Sequence, residues 1–109
     1  MITKFGNATI KESAMADGWR IVEDMRAKKA ARNTPKQIRD KYEYWKALIE
    51  GSGPMSIRIH NVPSFKDHAL IGNWKGYRSS YLSIQYRVIY SIDEGEGCIY
   101  VERLGPHNY

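Results

Sequence analysis

GYRSSYLSIQYRVIYSI, from Gly76 to Ile92, holds two strand-like segments around which the rest of this 109-residue chain is arranged. The segments, residues 77–82 and 84–92, are rich in Tyr, Ile and Val and alternate in character. β-branched and aromatic residues at a period of two are typical of β-strands. The stretch therefore predicts two consecutive strands at the centre of a sheet.

An arginine lies inside the second of these segments. In a strand, Arg87 and Ile89 share one face, because side chains alternate between the two faces. The opposite face then carries Tyr86, Val88 and Tyr90. A charge in such apolar surroundings has to be paired, exposed or functional. Arg87 is therefore a candidate functional residue.

A third strand-like run, CIYVERL at residues 98–104, follows the turn DEGEG at residues 93–97. Turns rich in Asp and Gly between such runs are typical of antiparallel hairpins. The sequence thus predicts a short meander that carries Arg78, Arg87 and Arg103 and is followed by GPHNY.

Upstream of the meander, residues 23–33 are rich in Ala, Lys and Arg, which have high helix propensity. They predict a first helix, and the short alternating run at residues 19–22 then predicts an edge strand before it. One continuous helix over residues 14–32 is the alternative.

A second helix is predicted over residues 35–50. Thr34 suits the cap position, and Pro35 suits the first helical position. Apolar residues at spacings of three and four then form one stripe, made of Ile38, Tyr42, Trp45, Leu48 and Ile49. The sequence Gly-Ser-Gly-Pro at residues 51–54 ends the helix.

The remaining segments complete the expected architecture. Residues 55–59 predict a strand, and proline, glycine and polar residues between 60 and 75 predict a loop. We expect an α+β fold in which two N-terminal helices pack on one face of a small, mostly antiparallel twisted sheet. Residues 18–109 form a single domain, preceded by an N-terminal arm of uncertain structure at residues 1–17.

Composition limits the class of protein. With 42% hydrophobic residues, the chain is long enough for one compact domain with one core. It has no apolar run long enough to span a membrane and no signal-peptide pattern, so we expect a cytoplasmic protein without membrane contact. The single cysteine, Cys98, excludes a disulfide framework, and three dispersed histidines argue against a zinc site.

The charge of the chain favours polyanionic partners. Its net charge is +5 and its pI is near 9.4. Seven basic residues fall within residues 26–41, where only Asp40 counters them. Such a cluster is either a solvated helix face or a contact surface for nucleic acid or an acidic protein.

RNA cleavage is a reaction that these residue types can serve. RNA supplies its own nucleophile, the 2′-hydroxyl beside the scissile phosphate. The protein then needs a base for the hydroxyl proton, an acid for the departing 5′-oxygen and positive charge for the phosphorane. Histidine suits both proton roles, arginine binds phosphate oxygens in pairs, and tyrosine rings can stack on bases.

Three sequences in the C-terminal half resemble the RelE/ParE superfamily of bacterial toxin–antitoxin modules. They are KDHALIGNWKGYRSSYL at 66–82, QYRVIY at 85–90 and RLGPHNY at 103–109. The first and third are similar to the YafQ mRNA interferases, and the second to those of the RelE and YoeB type. The order of predicted elements is similar over roughly residues 19–109.

The resemblance implies the toxin of a type II toxin–antitoxin system. Such a toxin is a ribosome-dependent endoribonuclease that cleaves mRNA in the A site, without a metal or a cofactor. The implied partners are a cognate antitoxin, in a hetero-oligomeric complex, and the ribosome with its mRNA.

The resemblance also implies roles for individual residues. His68 falls on a loop histidine implicated in proton transfer, and Arg87 on an arginine that stabilises the phosphate. His107 falls on the late histidine that serves as the other acid/base group, and Tyr109 orients mRNA or shares the acid role. Four further residues are expected to bind RNA: Lys75, Arg78, Tyr81 and Arg103.

Two departures from the YafQ pattern leave the base open between His68 and Asp67. Tyr81 stands where YafQ-like proteins have a second functional histidine, and Gln85 stands where they have an aspartate.

Two other functions stay open at this point. ParE members of the superfamily share the sheet but inhibit DNA gyrase, and they have no need of the set His68, Arg87 and His107. A non-catalytic nucleic-acid-binding module would account for the basic charge but not for the placed histidines.

Overall fold

The computed structural model describes residues 18–59 and 65–106. The predicted N-terminal arm, residues 1–17, lies outside the described residues, as do the two candidate site residues His107 and Tyr109.

A five-stranded mixed sheet forms the centre of the fold. In chain order its strands are β1 (Arg20–Glu23), β2 (His68–Ala69), β3 (Arg78–Tyr81), β4 (Tyr86–Asp93) and β5 (Cys98–Pro106). Their spatial order is β1-β5-β4-β3-β2. All neighbouring strands pair antiparallel except β1 and β5, which are parallel. This parallel pair makes the sheet mixed, whereas the predicted meander β3–β4–β5 is antiparallel throughout.

Three α-helices are present in the described residues: α1 (Met25–Arg32), α2 (Lys36–Ser52) and the short α3 (Ser56–Ile59). The first two are the helices predicted from the sequence. The predicted apolar stripe of α2 is buried or partly buried along its whole length, since its members belong to the core or pack against it. A 3₁₀ helix, Gly72–Trp74, precedes β3.

One face of the sheet is buried against α1 and α2. Val88 and Tyr90 of β4 belong to the same core cluster as Ala27 of α1 and Trp45 of α2. Trp45 is fully buried and meets the ring of Tyr90 edge-on, with 5.2 Å between the ring centroids. Its Nε1 donates a hydrogen bond to Ser80 Oγ at 3.0 Å. The indole therefore binds α2 to two neighbouring strands.

The predicted division of β4 into two faces is confirmed. Tyr86 packs against the core beside Val88 and Tyr90, whereas Arg87 and Ile89 are not part of that cluster. Arg87 thus lies on the side of the sheet away from α1 and α2.

The start of the described chain decides between the two predictions for its first helix. The edge strand predicted at 19–22 is confirmed as β1, so the alternative of one helix over 14–32 is wrong at Arg20–Glu23. β1 is held by parallel pairing with β5, in which Ile21 lies opposite Ile99. Local helix propensity is outweighed here by pairing with a strand distant in the sequence.

The strand predicted at residues 55–59 is wrong, because Ser56–Ile59 form α3. The single hydroxyl hydrogen of Ser56 is donated to the carbonyl oxygen of Gly53, 2.7 Å from Oγ, with the carbonyl oxygen of Leu48 as a second acceptor at 3.3 Å, and this contact closes a turn directly after α2. A short apolar run does not distinguish a strand from a helical turn by its pattern alone. The loop predicted at 60–75 likewise contains β2 and the 3₁₀ helix.

Thr34 does not cap α2. The cap position is occupied by Pro35, which makes no side-chain cap hydrogen bond. Thr34 is buried, and its Oγ1 donates to the carbonyl oxygen of Ala31 at 2.8 Å, so it closes the end of α1 instead.

Gly53 ends α2 with a φ of 82°, and its N–H donates to the carbonyl oxygen of Ile49 at 2.7 Å. A Cβ at this position would lie 3.0 Å from Trp19 Nε1. Because of the positive φ and this contact, we expect Gly53→Ala to lower the free energy of unfolding by about 1–3 kcal/mol in urea denaturation.

The matched control for this variant is Gly51→Ala, inside α2, where an added Cβ meets no atom within 4 Å. Alanine in a helix interior should raise the stability by about 0.5–1 kcal/mol. Equal unfolding midpoints for the two variants would contradict the account of Gly53.

Glu23 connects the end of β1 to α2. Its carboxylate accepts hydrogen bonds from Tyr42 OH at 2.7 Å and from Lys46 Nζ at 3.3 Å. Burial by itself would raise the pKa of Glu23, but the hydrogen bond from Tyr42 and the charge of Lys46 outweigh it and lower the pKa below its ordinary value of 4.5.

A carboxyl group whose pKa is lower in the folded than in the unfolded chain stabilises the folded state at any pH above its pKa in the unfolded chain. This stabilisation is lost as the pH falls through the pKa that the group has in the folded chain. We therefore expect the melting temperature of the wild type to fall more steeply below pH 4.5 than that of Glu23→Gln. Thermal unfolding followed from neutral to acidic pH measures this. Parallel curves for the two proteins would show that Glu23 has no such role.

Candidate functional site

The face of the sheet opposite the helices, which we call the open face, carries four of the residues singled out in the sequence. Tyr81 of β3 lies opposite Arg87 of β4, and Ile89 lies opposite Arg103 of β5. His68 of β2 pairs with Ser79 of β3, which lies two positions before Tyr81 and therefore on the same face. Cross-strand partners project to the same side of a sheet, so these residues share the open face.

The ring of Tyr81 is the centre of this group. The guanidinium carbon of Arg87 lies 3.5 Å from the ring centroid, and Lys66 Nζ lies 5.8 Å from it. The ring of His68 meets Tyr81 edge-on, with 6.3 Å between centroids. Cations are attracted to the face of an aromatic ring, so Tyr81 gathers two positive charges and an imidazole around one half-buried side chain.

Arg87 is buried although it lies on the open face, with only 6% of its surface exposed. Its Nη1 donates to the carbonyl oxygens of Ser83, at 3.0 Å, and Ile84, in the turn between β3 and β4. The cover thus comes from this turn and from Tyr81, not from α2.

The Nε of Arg87 is buried and has no hydrogen-bond partner among the described residues. A buried donor without a partner costs about 1–3 kcal/mol. Arg87 is thus held rigidly at its Nη1 end, and it gains free energy if an anion reaches Nε.

His68 is exposed at the edge of the sheet. Its Nδ1 lies 2.9 Å from the carbonyl oxygen of Lys66. A carbonyl oxygen only accepts hydrogen bonds, so Nδ1 carries the hydrogen, and Nε2 of the neutral ring then has an available lone pair. This tautomer is the one that can take a proton at Nε2.

Asp67, the alternative base, is placed differently. Its side chain has no exposed surface, and it accepts hydrogen bonds from Arg78 Nε at 2.7 Å, from Ser80 Oγ at 2.6 Å and from Tyr90 OH. Tyr90 belongs to the core on the helix side of the sheet. Asp67 is therefore enclosed on the side away from Arg87.

The structure does not bring Arg78 to the open face. It lies opposite Tyr90 in the pairing of β3 with β4, and Tyr90 faces the helices. Burial by itself would lower the pKa of Arg78, but the hydrogen bond and charge of Asp67 outweigh it and raise the pKa. The predicted role of Arg78 in RNA binding gains no support from this position.

The other two predicted RNA-binding cations are exposed. Arg103 lies on the open face, with its guanidinium carbon 5.2 Å from the centroid of the Trp74 ring. Trp74 also meets Tyr77 edge-on at 5.3 Å between centroids. Lys75 follows directly after the 3₁₀ helix.

Lys66 is a further candidate site residue, which the sequence did not single out. It is exposed, its Nζ approaches the Tyr81 ring, and its carbonyl oxygen accepts from His68. Its spacing of two residues from His68 was no reliable signal, because Lys66 has a φ of 47° and is not in the extended conformation that puts residues i and i+2 on one face.

The described residues, 18–59 and 65–106, contain no group of three or more His, Cys, Asp or Glu side chains that could hold a metal ion. Within the same residues, no helix has the length and apolar character needed to cross a membrane.

No protein-family model matches the sequence, and no curated protein matches it. Solved structures do match. The E. coli DinJ–YafQ toxin–antitoxin complex aligns with a TM-score of 0.62 and 25% identity over 83% of this chain and 93% of that chain.

Two further solved structures are similar. The archaeal RelE–RelB complex from Pyrococcus horikoshii aligns with a TM-score of 0.61 and 22% identity, over 84% of this chain and 97% of that chain. The YoeB–YefM complex from Staphylococcus aureus aligns with a TM-score of 0.63 and 19% identity, over 83% of this chain and 98% of that chain. The resemblance to the RelE/ParE superfamily is thus confirmed in the fold.

The contact between Tyr81 and Arg87 predicts how Arg87 reacts with phenylglyoxal, which modifies accessible guanidinium groups. We expect slow modification of Arg87 in the wild type and in Tyr81→Phe, which keeps the ring. In Tyr81→Ala the uncovered guanidinium should react several-fold faster. Peptide mass spectrometry measures each site, and the highly exposed Arg26 is the internal control. An unchanged rate at Arg87 in Tyr81→Ala would contradict the proposed cover.

Proposed function

We propose that this chain, which has the fold of the RelE/ParE toxins, is the toxin of a type II toxin–antitoxin system. In this proposal it is a ribosome-dependent endoribonuclease that cleaves mRNA in the A site. The observation that carries the proposal is the group around Tyr81 on the open face. It combines a rigid arginine, an exposed histidine with an available Nε2, and a lysine.

Arg87 holds the phosphorane in this mechanism. Its Nη1 is anchored by two carbonyl oxygens, which hold the guanidinium in place before charge develops on the phosphate. The Nε donor is buried and has no partner among the described residues, so it can donate to a phosphate oxygen once the cover over Arg87 opens. Removing a preorganised donor of this kind costs about 10²–10³-fold in rate.

His68 is the base that takes the proton of the 2′-hydroxyl. Its position favours it over Asp67, because the Asp67 carboxylate already accepts from three donors on the other side of the sheet. The hydrogen bond from His68 Nδ1 to the Lys66 carbonyl oxygen leaves Nε2 as the basic atom.

His107 is the proposed acid that protonates the departing 5′-oxygen, and Tyr109 orients the mRNA or shares this role. Both assignments rest on the resemblance of the sequence RLGPHNY. They agree with the pairing at the end of β5, where Pro106 lies opposite Tyr86, the neighbour of Arg87 in β4.

RNA binding is assigned to the remaining groups of the open face. Tyr81 and Trp74 offer rings for bases, and base–aromatic stacking contributes about 1–3 kcal/mol per base. Lys66, Arg103 and Lys75 supply positive charge for phosphates. Arg78 is assigned to pairing with Asp67 instead.

The partners of the proposed toxin follow from charge and from the structures of similar proteins. The basic surface at residues 26–41 would contact ribosomal RNA, with an affinity that falls steeply as salt rises. YafQ, RelE and YoeB were each solved in complex with another protein. We propose a cognate antitoxin that covers the open face in a hetero-oligomer. The proposed place of action is the cytoplasm, and no metal or cofactor takes part.

Primer extension on a defined mRNA in a reconstituted translation mixture tests the function. We expect discrete cuts at A-site codons for the wild type. Arg87→Ala should lower the cleavage rate by about 10²–10³-fold and His68→Gln by about 10²–10⁴-fold, because each removes a group that acts in the transition state. His107→Ala should also lose activity.

The matched control is Arg20→Ala, an exposed strand arginine on the opposite edge of the sheet, whose ion pair with Glu96 spans 4.0 Å. It should cleave as the wild type does. Absence of cuts with the wild type would refute the nuclease. If expression still arrests growth, a supercoiling assay then tests the ParE-like inhibition of gyrase.

A further inference from the structure

Asp67 is a buried carboxylate whose role is not used in the mechanism above. Its side chain has no exposed surface. It accepts from Arg78 Nε at 2.7 Å, from Ser80 Oγ at 2.6 Å and from Tyr90 OH. A buried charge is stable only when it is paired and hydrogen-bonded, and here one cation and two hydroxyls meet that need.

The donors to Asp67 come from different elements of the fold. Arg78 and Ser80 lie in β3, and Tyr90 lies in β4. Trp45 of α2 in turn donates to Ser80 Oγ at 3.0 Å. Burial and the charge of Asp67 both raise the pKa of Tyr90, so its hydroxyl stays protonated and remains a donor. The carboxylate therefore connects its own segment to the sheet and, through Ser80, to α2.

The segment that Asp67 anchors needs such a connection. β2 consists of two residues, His68 and Ala69, and it is the edge strand of the sheet. Two residues before the strand begins, Lys66 has a φ of 47°, a conformation that non-glycine residues rarely adopt. Backbone pairing alone gives this short, irregular edge little support.

The neighbours of Asp67 in sequence connect the anchor to the site. Asp67 turns toward Tyr90 on the helix side, whereas the side chains of Lys66 and His68 reach the open face. There the Lys66 ammonium and the His68 ring both contact Tyr81. The Lys66 carbonyl oxygen accepts from His68 Nδ1 and selects its tautomer.

We infer that Asp67 is a positioning residue: its buried carboxylate holds the Lys66 carbonyl group and the His68 ring in the arrangement that leaves Nε2 of His68 unprotonated and directed at the substrate. The catalytic consequence rests on the proposed function, whereas the control of the His68 tautomer does not. Asp67 thus acts through its neighbour rather than on RNA.

Nuclear magnetic resonance of the imidazole nitrogens tests the anchor in the free protein, in alkaline buffer where neutral histidine dominates. The His68 signals are assigned with His68→Gln. We expect the Nδ1–H tautomer in the wild type and a mixture of tautomers in Asp67→Asn, which keeps the shape but removes the charge. Tyr90→Phe removes one of the three donors to Asp67 and should shift the His68 signals less, in the same direction. This variant tests the anchor if Asp67→Asn does not fold.

Single-turnover cleavage provides the second readout. Asp67→Asn should lower the rate at saturating ribosome by up to about 10²-fold, since a misplaced catalytic group costs this much, while the half-saturating ribosome concentration stays unchanged. The control is Glu23→Gln, which breaks another partly buried carboxylate site, with Tyr42 and Lys46 as partners. It should lose stability but keep the rate and the tautomer.

The inference is overturned if folded Asp67→Asn keeps the wild-type tautomer and rate. It is also overturned if Glu23→Gln loses as much rate at equal loss of stability, since the effect would then be general. If the wild type itself does not cleave mRNA, the proposed function fails, and the tautomer comparison alone decides the role of Asp67.

Discussion

Burial of Val88 and Tyr90 against α1 and α2 is the constraint on which the rest of the structure depends. Side chains alternate in a strand, so this burial places Arg87 on the open face. A slip of one residue would put the guanidinium among the core side chains and remove the Tyr90 ring from them, and a buried charge without a partner is strongly unfavourable. The core therefore determines on which face of the sheet Arg87 lies.

The two sides of the sheet compensate charge in different ways. On the helix side, Asp67 accepts from three donors and has no exposed surface, so it has no capacity for a ligand. On the open face, Arg87 has two carbonyl oxygens at Nη1 and an aromatic ring over its plane, while Nε has no partner among the described residues. Asp67 on the helix side is fully hydrogen-bonded, whereas, within the described residues, Arg87 on the open face is not, and this difference supports the proposal that phosphate binds on the open face.

Local periodicity allowed much of this to be predicted. The alternation in β4 predicted the face of Arg87, and the stripe of α2 predicted the buried helix, because both patterns are set by near neighbours. Features that depend on contacts between distant segments could not be predicted from local periodicity. The parallel pairing of β1 with β5 and the pairing of Arg78 with Asp67 depend on which distant segments meet. The turn of α3 was missed because a short apolar run fits a strand equally well.

The central claim is that mRNA binds across the open face with its scissile phosphate at Arg87. A structure of the chain on a ribosome whose A-site codon carries a 2′-O-methyl group, which blocks the nucleophile, tests it most directly. The account predicts a phosphate oxygen within about 3 Å of Arg87 Nε and His68 Nε2 near the blocked 2′-oxygen. An mRNA bound away from the open face, with Arg87 still covered and without a phosphate partner, would contradict it.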